Sequence, residues 1–166
     1  MKQRILSILV DNTAGVLSRV SGLFSRRGYN IDSLTVGVTA DPRYSRMTVV
    51  CSGDDQVLEQ ITKQLNKLVE VRDIKVLEPD SSVSRELILV KVRVSKENRQ
   101  NVTAITDIFR ANVIDVGLDS MVIELTGSKS KLEAFLNLMG DGNEILEIAR
   151  TGITGLSRGS DYVLFL

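Results

Sequence analysis

The sequence predicts an α+β protein built from two consecutive ferredoxin-like βαββαβ units. Strand-like apolar runs and helix-period segments follow one another in the order β-α-β-β-α-β, and the same order then occurs again. A segment with one proline and three serines, EPDSSVS, separates the two copies. We therefore expect a first domain over residues 1–78, a linker over 79–84 and a second domain over 85–166.

In the first unit, alternating or continuous apolar residues predict the strands, and apolar residues at helical spacing predict the helices. Gly28 is a typical helix stop, and Pro42 excludes strand pairing within the turn ADPRYS. The expected elements are strand 3–10, helix 15–27, strand 29–39, strand 46–52, helix 54–68 and strand 69–77.

The second unit shows the same patterns. One face of its first strand carries Ile88, Val90, Val92 and Val94, and GLDS predicts a hairpin turn. The expected elements are strand 85–94, helix 97–111, strands 113–116 and 121–126, helix 129–139 and strand 144–149.

Each unit covers its sheet with helices on one face only and has two edge strands. About eighty residues make a marginal core, so an exposed face or edge invites pairing with another subunit. We expect a homodimer.

Composition excludes several functions. The 21 basic residues balance 21 acidic ones, which gives no support for a nucleic-acid partner. RNA-recognition modules share the βαββαβ order but need aromatic residues on their first and third strands. Here those strands are ILSILV, MTVVCSG, LILVKVRV and MVIELTG, without an aromatic residue.

The composition also bears on possible catalytic chemistry and on the cellular compartment. There is no histidine, and with a single cysteine no internal disulfide forms, which fits a reducing compartment. No apolar run has the length of a membrane span or of a signal peptide. We expect a cytoplasmic protein with no membrane partner and no metal site.

The stretch DNTAGVLS at the start of the first helix is a candidate anion site, because a helix N-terminus presents unpaired N–H groups. It contains neither GxxxxGK nor GxGxxG, so nucleotide binding is disfavoured. The backbone from Ala14 through Gly15 and Val16 to Leu17 suits a carboxylate, and the amide of Asn12 suits a zwitterion. The competing interpretation is an ordinary helix cap at Asn12 or Thr13.

Other segments have simpler interpretations. Asn30 and Ile31 at the second strand offer a polar group and an apolar wall, or merely an ordinary strand start. Cys51 lies on a strand and reads as a core residue, and Asp54 reads as a helix cap. TGITGLSRG is glycine-rich with no helix pattern after it, so we expect a flexible loop.

The segment NTAGVLSRVSGLFSRRGYNIDSLTVG resembles the opening of the small, regulatory subunit of acetolactate synthase (acetohydroxyacid synthase). The resemblance continues through SRMTVV, QLNKLVEV, RELILVKV, IFRANVIDV, KLEAFL and EIARTGITGLSRG, nearly the whole chain. It implies an N-terminal ACT domain, a C-terminal ACT-like domain and no catalytic activity of this chain alone. It also implies a large catalytic partner that carries thiamine diphosphate, Mg and FAD, with none of these cofactors bound here.

The resemblance further implies activation of the large subunit and feedback inhibition by valine, or also by leucine or isoleucine, in branched-chain amino acid biosynthesis. The family's effector site lies between two ACT domains. Matched by motif, Asn12 and the backbone from Ala14 to Leu17 come from one chain, and Asn30 with Ile31 from the other. The loop VSKENRQNVTA of the second unit lacks the glycine, so we do not expect the same ligand there.

Two alternatives remain open. A stand-alone amino-acid sensor of the ACT type would bind valine without a catalytic partner. A small enzyme is the weaker alternative, because the sequence shows no acid–base dyad, metal cluster or activated nucleophile.

Overall fold

The computed structural model describes residues 2–160, which form two compact units. The first unit contains residues 2–84 and 153–160, and the second contains residues 85–152. Both have the expected α+β architecture with βαββαβ order, so the predicted fold class is confirmed.

The first unit has a four-stranded antiparallel sheet in the order β2-β3-β1-β4. Two amphipathic helices cover one face of this sheet, and their apolar stripes pack on the alternate strand residues that point toward them. Its elements are β1 (Lys2–Asp11), α1 (Val16–Arg26), β2 (Ile31–Val38), β3 (Tyr44–Gly53), α2 (Asp55–Leu65) and β4 (Val71–Leu77).

The core of the first unit is almost entirely aliphatic, with Phe24 as its fully buried aromatic residue. Helix α1 ends as the sequence predicts, because Gly28 adopts φ +68 and its N–H bonds to the Ser25 carbonyl. Helix α2 begins with the predicted cap, in which the Asp54 side chain accepts from the Val57 N–H at 2.8 Å.

The second unit repeats the arrangement with strand order β6-β7-β5-β8. The GLDS turn joins β6 to β7 as predicted, closed by the Gly117 N–H and the Ser120 carbonyl at 2.8 Å. Its elements are β5 (Ser82–Arg93), α3 (Arg99–Ile108), β6 (Asn112–Val116), β7 (Ser120–Gly127), α4 (Lys129–Gly140) and β8 (Ile145–Arg150).

Residues 79–84, the expected linker, include one 3-10 turn at Pro79–Ser81, and β5 begins at Ser82. One sequence-based expectation is wrong. Residues 151–159 are not merely a flexible loop, because Thr154–Ser157 form a further strand, β9, which pairs with β5.

Strand β9 belongs to the first unit, whereas the sequence assigned residues 153–160 to the second domain. Gly155 permits the return of the chain, because a Cβ atom there would lie 2.8 Å from the Val83 carbonyl oxygen. The Arg158 N–H then bonds to the Ser81 carbonyl at 2.8 Å, and Arg158 Nε donates to the Ser82 carbonyl at 3.1 Å. Gly155 therefore allows two backbone segments to approach closely. The glycine-rich composition of residues 151–159 did not reveal this contact.

Among the described residues, no helix is long and apolar enough to cross a membrane.

Candidate functional site

Helix α1 begins at a glycine without a side-chain cap. Gly15 is the N-cap residue, with φ 85 and ψ −8, a left-handed conformation that other residues adopt only with strain. The side chain of Asn12 is used elsewhere: its Nδ2 donates to the Pro42 carbonyl at 3.0 Å. The interpretation of Asn12 or Thr13 as an ordinary cap is therefore wrong.

The first turn of α1 presents unpaired backbone donors. The Val16 N–H reaches the Thr13 carbonyl only at 3.5 Å, and the N–H groups of Leu17 and Ser18 have no backbone partner within residues 2–160. An uncapped helix start has a positive dipole end, so this turn can bind a carboxylate.

A cation lies beside the same turn. Nη1 of Arg19 is 3.0 Å from the position that a Cβ atom of residue 15 would take, and its Nε pairs with Glu70 at 2.5 Å. Sequence analysis missed Arg19, although its place one helical turn after Gly15 puts it over the helix start. The Arg19–Glu70 ion pair therefore lies beside the helix start, where Nη2 of Arg19 also donates to the Ala14 carbonyl at 3.5 Å.

The other predicted residues of this segment have distinct environments. We call the backbone N–H groups at the start of α1, around Gly15, the anion seat. Val16 is buried in the core, so its backbone but not its side chain faces this seat. The Leu17 side chain is 47% exposed and offers an apolar surface next to the donors. Asn12 is exposed, and with Nδ2 engaged, its Oδ1 remains available as an acceptor.

Asn30 and Ile31 lie at the start of β2, at the other end of α1. Nδ2 of Asn30 donates to Asp32 Oδ1 at 2.6 Å, and Ile31 is half-buried against its own core. The eleven residues of α1 correspond to about 16 Å of helix. The structure therefore does not bring Asn30 and Ile31 to Gly15 within one chain.

Strand register shows which end of β2 lies near Gly15. Val10 and Val38 are both paired with Ser45 of β3, so the last residues of β1 and β2 reach the same end of the sheet. Ile31 is paired with Cys51 at the opposite end. The α1 start thus lies near the end of β2, and β2 is an edge strand on which Val36 and Val38 are 48% and 60% exposed.

The second unit lacks an equivalent seat. Helix α3 begins at Asn98 in an ordinary αR conformation, and the Asn98 side chain accepts from the Ser95 N–H at 2.7 Å. The Arg99 side chain points instead to the β6–β7 turn, where it donates to the carbonyls of Gly117 and Leu118. Helix α3 also lacks a side-chain cap, but unlike α1 it does not begin at a left-handed glycine.

Two other kinds of site, a reactive thiol and a metal site, were also considered for residues 2–160. Cys51 is fully buried, and burial raises the pKa of its thiol to about 11, with the Asp32 carboxylate adding to the effect. This confirms a core residue. No group of three or more cysteine, aspartate and glutamate side chains within residues 2–160 is placed to hold a metal ion.

A βαββαβ unit with an uncapped helix start and an open edge strand has the architecture of a regulatory domain. Residues 6–73 match a family model described as the AHAS small subunit-like ACT domain, and residues 85–159 match one described as the small subunit of acetolactate synthase.

Similar proteins agree with both matches. The chain is 51% identical to the acetolactate synthase isozyme 3 small subunit of Escherichia coli, over 95% of this chain and 96% of that one. It is 50% identical to a probable acetolactate synthase small subunit of Methanothermobacter thermautotrophicus, over 94% and 93% of the two chains. A crystal structure of the Thermotoga maritima small subunit superimposes with a TM-score of 0.89 at 42% identity, over 97% of this chain and all of that one. The chain belongs to the acetolactate synthase small-subunit family.

Proposed function

We propose that this chain activates the catalytic subunit of acetolactate synthase and makes it sensitive to feedback inhibition by valine. Membership in the small-subunit family supports a catalytic large subunit as the partner. The observation that carries the effector proposal is the uncapped start of α1 at the left-handed Gly15, beside the Arg19 guanidinium.

A two-fold homodimer completes the proposed site. If β2 pairs antiparallel with β2 of a second copy, the start of one strand lies beside the end of the other. The C-terminal end of β2 lies at the same end of the sheet as Gly15. Such pairing therefore brings Asn30 and Ile31 of the second copy to the Gly15 seat, and the exposed Val36 and Val38 become buried in the interface.

The chemistry of the combined site matches a small apolar amino acid. The N–H groups of the first turn and Arg19 bind the carboxylate, and Oδ1 of Asn12 accepts from the ammonium group. Leu17 and Ile31 of the second copy enclose a branched aliphatic side chain. Leucine and isoleucine carry the same charged groups, and pocket contacts of this kind distinguish one methylene by about 1–3 kcal/mol, so titration of each amino acid ranks the three.

The regulatory step follows from the composite geometry. An effector that touches two copies has a different affinity for two arrangements of the pair, and it shifts the population toward the arrangement it binds better. A coupling free energy of about 1–3 kcal/mol is sufficient for ordinary feedback control. Thiamine diphosphate, Mg and FAD belong to the catalytic subunit in this proposal, and no step requires them on this chain.

The decisive experiment mixes two defective chains. Gly15→Asp damages the helix-start half of the site, and Asn30→Ala damages the β2 half. In a mixed dimer one site receives both defects and the other receives none. When chains assort randomly, about half of the dimers are mixed, so about one quarter of all sites are intact. Calorimetric titration with valine should detect these restored sites, whereas each variant alone should bind weakly.

Failure to recover any site in verified mixed dimers would contradict the composite arrangement. The stand-alone sensor is tested separately, by adding the catalytic subunit and measuring its turnover. Enhanced turnover that valine suppresses supports the regulatory subunit. Valine binding with no effect on turnover favours the sensor.

A further inference from the structure

The side chain of Asn30, at the start of β2, is held by the carboxylate of Asp32. Nδ2 of Asn30 donates to Asp32 Oδ1 at 2.6 Å. A carboxylate has only acceptor atoms, so the Asn30 amide turns its NH2 group toward Asp32. The amide oxygen of Asn30 is then directed away from Asp32, and no donor within residues 2–160 bonds to it.

The Asp32 carboxylate is itself anchored to the two inner strands of the sheet. Its Oδ2 accepts from Ser52 Oγ of β3 at 2.5 Å and from Gln3 Nε2 of β1 at 3.1 Å. Ser52 and Gln3 are paired in the β1–β3 register, so both donors approach from one place on the sheet. Because Oδ2 is held there, Oδ1 is the oxygen that faces Asn30.

A β-bulge in β2 turns Asp32 toward these donors. Between Ile31 and Ser33, β2 advances two residues while β3 advances one, so Asp32 is an inserted residue. A bulge bends the strand and changes the direction of the side chain that it carries. The backbone of β2 thus places Asp32 beside Asn30 at the end of the sheet where β2 begins.

We propose that Asp32 is a positioning residue that makes the effector site selective for an ammonium group. This rests on the proposed function, in which Asn30 of the second copy lies at the Gly15 seat. With its NH2 group held by Asp32, Asn30 offers its carbonyl oxygen to the ligand, and an ammonium group donates to that oxygen. Asn12 is in the same state, because its Nδ2 is engaged by the Pro42 carbonyl. Two amide oxygens, one from each copy, therefore receive the ammonium group.

The resulting selectivity separates an α-amino acid from the keto acid of the same carbon skeleton. α-Ketoisovalerate has the carboxylate and the isopropyl group of valine, but a keto oxygen replaces the ammonium group. A keto oxygen is an acceptor and forms no hydrogen bond with an amide oxygen, whereas an amide that turns its NH2 group outward donates to it. The fixed orientation of Asn30 therefore disfavours the keto acid, and a freely rotating Asn30 accommodates either ligand.

The test compares the dissociation constants of valine and α-ketoisovalerate for the full chain, with the weaker ligand measured by competition against valine. Asp32 is exposed, so its replacement should not unfold the unit. Asp32→Ala releases the Asn30 amide, so valine should bind roughly tenfold more weakly, while the keto acid should bind as well as before or better. A purely structural defect at the start of β2 would weaken both ligands alike, because they share the carboxylate and the isopropyl group. Asp32→Glu retains an acceptor for Nδ2 and should keep most of the preference for valine.

Asp55→Ala is the matched control, because it removes another exposed carboxylate of the first unit, one that pairs with Arg4 at 3.3 Å. It should leave both dissociation constants unchanged. If the parent chain binds valine but Asp32→Ala retains the parent's ratio of the two constants, the inference is wrong and the proposed function stands. If the parent chain binds no valine, both are overturned.

Discussion

The substitution Gly15→Asp tests the anion seat most directly. It introduces a carboxylate at the position proposed for the ligand's own carboxylate, and this new side chain meets Arg19, whose Nη1 is 3.0 Å from the Cβ position. The aspartate therefore repels the ligand and also pairs with the cation that would otherwise attract it. A non-glycine residue at φ 85 additionally costs about 1–2 kcal/mol of folding stability.

The loss of affinity can be estimated from the charges. Two unit charges about 4 Å apart repel by about 4 kcal/mol at an effective dielectric of 20. Gly15 is exposed, and solvent screening reduces this repulsion to about 2 kcal/mol. That free energy corresponds to roughly thirtyfold weaker valine binding.

Calorimetry of the full chain with valine measures the effect, and Gly15→Asn is the matched control. Asparagine has the same shape without the charge and tolerates the left-handed conformation better than most residues. We expect it to retain most of the affinity. If both variants lost the same affinity, or neither lost any, the seat would not act through the ligand's negative charge.

Three further predictions concern other parts of the structure. Gly155→Ala should lower the unfolding free energy by roughly 1–3 kcal/mol, because its Cβ meets the Val83 carbonyl, and hydrogen exchange should become faster in β9. Phe135→Ala should lower the free energy of unfolding by about 3–5 kcal/mol in denaturant titration, since it creates a cavity and removes the edge contact with Phe109 at 5.4 Å. The Cys51 thiol, with its pKa raised to about 11, should resist alkylation at neutral pH until the chain unfolds.

The glycine and cysteine predictions have their own controls. Gly22→Ala lies in α1, where the nearest atom to its Cβ is 3.9 Å away, and it should raise stability by about 0.5–1 kcal/mol. For Cys51, the folded pKa of about 11 lies above the unfolded value of about 8.5. Stability should therefore fall as pH rises between these values, and Cys51→Ala should reduce that slope. Rapid alkylation of the native thiol would contradict its burial.

The sequence predicts the regular elements well because local periodicity reports which face of each segment is buried. The stripe from Ile88 to Val94 and the cap at Asp54 both depend on residues within a few positions of each other. Where the sequence-based prediction is wrong, the cause is a contact between residues that are far apart in the chain. Nothing near Gly155 reveals that Val83, some seventy positions earlier, approaches its backbone.

The candidate site was predictable only in part for the same reason. The motif matched to the family assigns the clusters around Gly15 and Asn30 to different chains, and the fold agrees in placing them at opposite ends of α1. Arg19 was missed because an arginine on an exposed helix surface is ordinary in sequence.

The return of the chain through β9 affects the order of synthesis. Since a ribosome makes the chain from its amino end, residues 85–152 emerge before the strand that finishes the preceding compact unit. The four-stranded sheet and both helices of that unit are already made by then, so a chain that stopped after residue 152 would lack only β9 and its pairing with β5.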